Sequence, residues 1–520
     1  MIVGRLAPRD QIEVLRRVLL RDGFVPSSED ENKLHKPDTA AGWTFFSLEP
    51  EDGYIEAMGH PNDPALFNAG PVEQFFQDFG MDDLQGLQNG SLDDKELFEG
   101  LDYAPTLRAL SLKLDGYRGF KDAEIRLAES PSTIFIGNNG AGKSTILDAI
   151  SLSLSWLSRR IPKSGSKGRR PSSDDINNEC DYANVALKTR YYGRELEWNV
   201  LEKRPGNPSR LSSSYEELNR IVQAQQREYT SRKIPTNLPV LAYYPVNRAV
   251  LDVPKRIKKK HHFEPLETYE DALVAGGRDF RFFFEWFRER ENFENEAIRD
   301  NKEFLDHELE AVREAARIFT DLEGLRIRRR PKQRMVAVKN GKELAVQQLS
   351  DGEKCLLALV GDLARRLALA NPDMATPLLG HGVVLIDEIE LHLHPLWQRD
   401  IVHKLQSTFP NCQFLLTTHS PIVLSQVPKE AVRLLNNFEV IENQNPVEGR
   451  EANSILAEVM GIPVFPDETQ EALNEIDALI EAECYQEARG RLEELSDKLG
   501  EHDPAIVRGL TTIDFLDEDL

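Results

Sequence analysis

The sequence predicts an α/β protein built around a buried parallel sheet, and three segments carry that expectation. Residues 132–136 form an apolar, strand-like run that leads through a glycine-rich loop at 137–145 into an apolar helical stretch at 146–157. Residues 383–386 are continuously apolar and end on Asp387 and Glu388, and residues 414–418 form a similar run that ends on His419. Uninterrupted apolar strands are those buried on both faces, as a parallel sheet requires. In such sheets ligands bind beyond the C-terminal ends of the strands, which is where these polar residues fall.

The loop reads Gly137-Asn138-Asn139-Gly140-Ala141-Gly142-Lys143-Ser144-Thr145. Its glycines let the backbone curl so that successive N–H groups face phosphate oxygens, and the helix behind it adds the positive end of its dipole. Lys143 supplies a point charge between the β- and γ-phosphates, and the Ser144 hydroxyl is placed for Mg²⁺. The strand–loop–helix setting separates this P-loop from a bare glycine-rich turn. A bound nucleoside triphosphate, ATP with Mg²⁺, is the expectation.

At the next strand end Asp387 is expected to hold Mg²⁺ through water, and Glu388 to polarise the attacking water as catalytic base. His419 reaches the same edge and can hydrogen-bond the γ-phosphate and sense its loss. Taken singly, the Asp-Glu pair reads as a strand end meeting solvent and His419 as a core histidine. Their order behind the P-loop favours the functional reading.

Leu349-Ser350-Asp351-Gly352-Glu353-Lys354 adds a fourth motif. Ser350 with Glu353 three residues on forms a capping box, and Leu356, Leu357, Val360, Leu363 and Leu367 follow at helical spacing. A helix N-terminus carrying Ser350 and Gly352 is another anion site. One γ-phosphate does not need two such helix ends from one protomer. The expected arrangement is a two-fold dimer in which this end caps the partner's ATP; the plainer alternative is a capped core helix.

With four motifs in this order, residues 108–425 resemble the ABC-type ATPase heads shared by the SMC, Rad50 and RecF groups. The resemblance implies that residues 137–145 are the Walker A loop, 383–388 Walker B, 349–353 the signature and His419 the switch histidine. It also implies that Tyr117-Arg118-Gly119-Phe120, on a hairpin before the P-loop, stacks on adenine. Asp351 stands where glycine is usual in the signature, a variant frequent in the SMC-like branch. His394, within Ile389-Glu390-Leu391-His392-Leu393-His394-Pro395, stands where transporter heads carry aspartate. No Q-loop glutamine is visible, and Tyr243-Tyr244-Pro245-Val246-Asn247-Arg248 occupies that region.

Composition divides the chain further. Over its 520 residues, 64 basic and 87 acidic side chains give a net charge of −23. Residues 1–109 carry 9 basic and 21 acidic, residues 426–520 carry 7 and 23, and the stretch between carries 48 and 43. Acidic ends thus flank a mildly basic head; they do not attract nucleic acid and suit either a basic protein partner or simple solubility. Four scattered cysteines (Cys180, Cys355, Cys412, Cys484) without metal spacing fit reduced thiols. No 18-residue apolar run and no charged-then-apolar leader is visible, so the expectation is cytoplasmic, with no membrane span. Three basic clusters lie within the head: 159–170, 255–262 and 326–334. They read either as solvated faces or as contacts to a nucleic-acid backbone rather than to bases.

Residues 280–287 and 293–319 read as two amphipathic helices, a short arm with no sustained heptad where SMC and Rad50 proteins insert long coiled coils. The aromatics Phe280, Phe282, Phe283, Phe284, Trp286 and Phe287 suggest a dimer or arm interface. Residues 5–20 look helical, within an acidic N-terminal extension 1–107 of otherwise unknown fold. Residues 468–482 and 484–499 read as an αα-hairpin ahead of an acidic tail, with no succession of strands for a Toprim nuclease. A short head of this layout, with an acidic helical C-terminal region at 426–520, resembles the ATPase subunit of Septu-type antiphage systems, including the version attached to some retrons. That resemblance implies an HNH nuclease partner docked on the tail, with retron reverse transcriptase and its DNA/RNA product as further partners. It also implies a slow, regulatory ATPase assembled at least as a dimer. A RecF-like DNA-repair ATPase is the competing expectation, and a nucleotide-gated scaffold whose ATP is structural is a third.

Overall fold

The computed structural model describes five short strands within residues 2–59, and residues 106–163, 165–206, 211–231, 237–246, 264–274, 279–372 and 374–517. The chain divides into two compact units, residues 1–104 with 216–236, and residues 105–215 with 237–520.

The smaller unit holds β1 (Ile2–Leu6), β2 (Val25–Pro26), β3 (Lys33–His35), β4 (Thr44–Glu49) and β5 (Tyr54–Gly59), with the helix Glu216–Ser231. The strands form an antiparallel sheet in the order β1-β5-β4-β3-β2. The helix expected over 5–20 does not start there. Arg5 and Leu6 lie on β1, opposite Ile55 and Tyr54, because Ile2 and Val3 bring β-branched side chains to a strand that finds a partner. Residues 7–20 lie outside the described residues.

The larger unit contains β6 (Leu107–Tyr117), β7 (Phe120–Arg126), β8 (Ser132–Gly137), β9 (Tyr182–Tyr191), β10 (Arg194–Lys203) and β11 (Val240–Tyr244). It continues with β12 (Glu323–Arg328), β13 (Arg334–Lys339), β14 (Lys342–Ala345), β15 (Gly382–Ile386), β16 (Cys412–Thr417), β17 (Val432–Asn436) and β18 (Glu439–Glu442). Its main sheet runs β11-β15-β16-β8-β17-β18, parallel as far as β17, with β18 antiparallel on the edge. Every residue of β11, β15 and β16 is buried, as two covered faces demand. An antiparallel sheet β10-β9-β6-β7 and a three-stranded sheet β12-β13-β14 complete the β-structure described here.

The helix Lys143–Arg160 lies between the two larger sheets, touching β8, β11, β15 and β16 on one side and β9 on the other. It is buried at nearly every position, and a helix covered all round can carry no charged face. Small serines fill the tight contacts; the Ser151 hydroxyl, for one, donates to the Leu273 carbonyl at 3.0 Å.

The helix Asp351–Ala370 packs on the two arm helices and on β11, and Leu356, Leu357, Val360, Leu363 and Leu367 are buried. The arm helices run Asp279–Asp300 and His307–Thr320. Their break therefore falls at residues 301–306, not at 288–292 as the periodicity suggests. Asp306 sets it by capping the second helix, accepting the Leu309 N–H at 2.9 Å. Phe283, Phe284, Trp286 and Phe287 are buried within the unit, with Phe283 against Gly361 of the helix Asp351–Ala370. These four join arm to head inside one chain; Phe282 is half-buried, and the side chain of Phe280 lies outside the described residues.

Residues 426–520 contribute β17 and β18 to the main sheet before turning helical, so the expected boundary at 425 falls within this unit. Three helices close the chain, Asp467–Glu481, Tyr485–Leu499 and Pro504–Asp517, where a two-helix hairpin is expected. Ile506 and Ile513 of the third join Ile476, Ala488, Leu492 and Leu495 in one small core. Part of the expected acidic tail is thus helical, with Asp514 paired to Arg489 at 2.5 Å. Among the described residues no helix is long and apolar enough to cross a membrane.

Candidate functional site

Three neighbouring strand ends and two hairpin turns build the candidate site. β8 delivers the loop 137–142, β15 ends just before Asp387, and β16 ends two residues before His419. The turns β6–β7 and β17–β18 close the far side. Around an open cleft of about 260 Å³ the structure gathers Arg118, Asn139, Gly140, Gly142, Lys143, Ser144, Thr145, Asp387, Glu388 and His419, together with Gly119 and Phe438. Gly137, Asn138 and Ala141 belong to the loop without lining the cleft, and Ser350 and Gly352 stand apart at the start of the helix Asp351–Ala370.

The loop has the curl its glycines suggest. Gly137 has φ +150°, and a Cβ on it would sit 2.2 Å from the Leu435 carbonyl oxygen of β17. Gly142 caps the helix at φ +107° with no side-chain hydrogen bond, leaving the first-turn N–H groups for a ligand. Lys143 folds back, its Nζ donating to the carbonyls of Gly137 at 2.8 Å and Asn138 at 3.0 Å. Burial lowers the Lys143 pKa, against the opposing pull of Asp387, Glu388 and Glu390.

Opposite the lysine, the Thr417 hydroxyl organises both carboxylate residues. It donates to Asp387 Oδ1 at 2.5 Å and accepts the Glu388 N–H at 2.7 Å. The Asp387 N–H donates to the Tyr244 carbonyl at 2.9 Å, and Glu388 turns away from the strand at φ +46°. Glu390 accepts from the Thr418 hydroxyl and the His419 N–H. His394 caps the short helix Pro395–Gln398, its Nδ1 accepting the Leu396 N–H at 3.2 Å.

Arg118 is anchored rather than free. Its guanidinium reaches Asp175 and Asp148, each at 2.8 Å. Burial would lower its pKa, but Tyr117, Asp175 and Asp148 outweigh this and raise it. Tyr117 and Phe120 are sealed in the core, so neither offers a face to a base. Tyr243, in the expected Q-loop region, donates its hydroxyl to Asp148 at 3.0 Å. Its neighbour Tyr244 donates to Asp362 of the helix Asp351–Ala370 at 3.0 Å.

At the fourth motif the capping box forms as expected. Ser350 donates its N–H and hydroxyl to Glu353 at 2.8 and 2.6 Å, and Lys339 pairs with the same carboxylate. Burial works to raise the Glu353 pKa, but Lys339 and Ser350 prevail and lower it. Gly352 has a reason within the chain as well: a Cβ there would lie 2.5 Å from the His392 carbonyl oxygen.

Of the basic clusters, residues 255–262 lie outside the described residues. In the first, Arg160 lies over the Trp156 and Tyr215 rings and Arg169 bonds Ser151 at 2.6 Å. In the third, Arg326 and Arg328 pair with Glu343, and Arg329 with Glu291. Arg326 and Arg328 share the one Glu343 carboxylate, so these pairs offset part of the cluster's charge and leave its arginines at the surface.

The residues that sequence reasoning passed over are Thr417, Glu390, Asp148 and Phe438. Glu390 stood in plain view beside the Asp-Glu pair, but nothing in its spacing shows that it turns back to His419. Phe438 lies beyond the expected head, and only the pairing of β17 with β8 reveals its position.

The donor set fits nucleotide with Mg²⁺. Among the described residues no group of three or more His, Cys, Asp or Glu side chains could hold a metal by itself. The cleft offers two carboxylates, Asp387 and Glu388, and two hydroxyls, Ser144 and Thr145, still the sparse oxygen set of a Mg²⁺ bound mainly through substrate phosphates.

The chain is also similar to known proteins. Residues 132–425 match the family described as "AAA domain, putative AbiEii toxin, Type IV TA system". The "Retron Vc95 probable ATPase" of Vibrio cholerae serotype O1 biovar El Tor is 34% identical over 407 residues, covering 68% of this chain and 78% of that protein. The "Retron Ec83 probable ATPase" of Escherichia coli is 31% identical over 468 residues, covering 77% and 85%. A "Septu protein PtuA" of Bacillus thuringiensis is 24% identical over 400 residues, covering 72% and 87%.

Proposed function

Because this chain belongs to the family of AAA domains described as putative AbiEii toxin of a Type IV TA system, we propose that it is the ATP-hydrolysing subunit of a bacterial antiphage defence complex. Its nucleotide state controls an associated HNH-type nuclease, docked on the acidic C-terminal helices. In a retron setting, the reverse transcriptase and its DNA/RNA product join the assembly. The observation that carries the reading is the meeting of Lys143, Ser144, Asp387, Glu388 and His419 at one cleft.

The residues divide the work by chemistry. The loop N–H groups and the helix end hold the phosphates, and Lys143 exchanges its two carbonyl partners for phosphate oxygens. Ser144 and Asp387 hold Mg²⁺, which when bound offsets phosphate charge. Glu388 orients and deprotonates the attacking water, and His419 contacts the γ-phosphate. Ser350 and Gly352 lie outside this cleft, which suits the proposal that they complete the nucleotide site of a second copy.

The test compares Glu388→Gln and Lys143→Ala with the wild type. Loss of a positioned catalytic carboxylate costs about 10²–10⁴-fold in turnover, with ATP affinity retained in Glu388→Gln and lost in Lys143→Ala. Unchanged turnover in Glu388→Gln would remove the assigned base. Ser350→Arg is expected to keep ATP binding and lose turnover, and normal turnover there would sink the dimer. Co-purification of a small HNH protein with the full chain tests the partner. The DNA-repair alternative predicts ATP-dependent DNA binding by the isolated chain, abolished by neutralising Arg326, Arg328 and Arg329.

A further inference from the structure

Phe438 occupies a place in the cleft that its position in the chain does not advertise. It sits in the two-residue turn between β17 and β18, where Asn436 pairs with Glu439. Both turn residues are left-handed, Asn437 at φ +46° and Phe438 at φ +64°. Such turns favour Asn followed by Gly; asparagine is present, but a phenylalanine holds the glycine position at a cost in backbone strain. A bulky side chain kept where glycine would be easier calls for a reason.

The surroundings supply one. The Phe438 ring stands edge-on to Phe120, with centroids 5.2 Å apart and planes at 81°. It lies directly on two glycines: a Cβ at Gly119 would fall 2.1 Å from the ring, and one at Gly142 would fall 2.9 Å from it. Gly142 is the N-cap of the helix that starts with Lys143. The ring is therefore fixed at the edge of the phosphate loop by glycines on two separate segments. Tyr117 and Phe120, each 1% exposed, are closed off from the cleft. Among the described residues that line it, Phe438 carries the one phenyl ring, and Arg118 lines it too. The Arg118 guanidinium is held by Asp148 and Asp175.

From this we infer that Phe438 is the stacking platform for the nucleotide base, with the anchored Arg118 guanidinium as its cationic neighbour. The inference rests on the ATP-binding reading above and assigns the base to a residue outside the motifs that mark the phosphates. Aromatic and guanidinium planes both attract a base face.

Equilibrium binding of ATP and of inorganic tripolyphosphate, both with Mg²⁺, to the full chain and to Phe438→Leu and Phe438→Trp tests it. Leucine keeps the apolar contact with Gly119 and Gly142 but removes the ring face, and tripolyphosphate reports the phosphate loop without a base. The expected result is ATP binding about 10-fold weaker in Phe438→Leu, with tripolyphosphate binding unchanged and ATP binding retained in Phe438→Trp. Unchanged ATP affinity in Phe438→Leu overturns the inference. So does a parallel loss of ATP and tripolyphosphate, which would make Phe438 a support for the loop. If the wild type binds neither probe, the ATP reading itself fails, an outcome distinct from both.

Discussion

Glu390 holds the backbone of His419. One oxygen of its carboxylate accepts the His419 N–H at 2.5 Å, and the other accepts the Thr418 hydroxyl at 2.7 Å. A carboxylate on the segment leaving β15 thus fixes the segment leaving β16. Glu390→Ala is expected to lower single-turnover hydrolysis by about 10²-fold, the scale of a misplaced catalytic group, with ATP affinity changed only slightly. Glu390→Gln retains an acceptor oxygen and should fall between. A wild-type rate in Glu390→Ala would show that His419 does not depend on this tie.

Thr417 should matter for stability as well as for chemistry. It is fully buried, and Thr417→Val keeps its shape while removing one hydrogen bond from Asp387 and one from the Glu388 N–H. Leaving buried polar groups unsatisfied costs about 1–3 kcal/mol, read as a lower urea midpoint at unchanged slope. ATP-linked Mg²⁺ affinity should also fall, because Asp387 loses the hydroxyl that orients it.

Gly352→Ala separates two reasons for a glycine. The added methyl would press on the His392 carbonyl, and overpacking of this kind costs about 1–3 kcal/mol. A lowered Tm in the chain without nucleotide is expected. A loss of turnover with no change in Tm would mean that the glycine serves only a partner's nucleotide.

The arm carries a pH dependence. Burial pushes the Glu308 pKa up to about 7, with Arg290 opposing and Asp306 adding to the rise. Between the ordinary carboxyl range and that value the folded chain binds more protons than the unfolded chain. Stability from Glu308 is therefore full below the ordinary range and is lost as pH rises through about 7. A shift of this size corresponds to at most about 3 kcal/mol, and the helix N-terminus nearby favours the anion and reduces it. Glu308→Gln should flatten this part of the profile in chemical denaturation from pH 5 to 8, values set about the two pKa limits. An unchanged slope would remove Glu308 as its source.

What could be read in advance followed from local physics. The runs at 132–136, 383–386 and 414–418 need both faces covered, and that alone places them in the parallel sheet and brings Lys143, Asp387 and His419 to one edge. The capping box at Ser350 was equally plain, being a three-residue relationship. Less accessible were features that depend on distant partners. Arg118 meets Asp175, and Tyr243 meets Asp148, across 57 and 95 residues. β17 lies beside β8 although its apolar run is short and follows what reads as the end of the head. The break between the arm helices was misplaced because apolar spacing continues past Asp300, and only the Asp306 cap settles where the second helix begins.

With a sheet on either flank, the helix that begins at Lys143 has nowhere to slide, and interiors packed like organic crystals pass strain on rather than absorb it. The phosphate cradle is thereby the fixed reference of the site, and the segment beyond β15 meets it through a turn in which Glu388 and His392 both take left-handed backbone conformations.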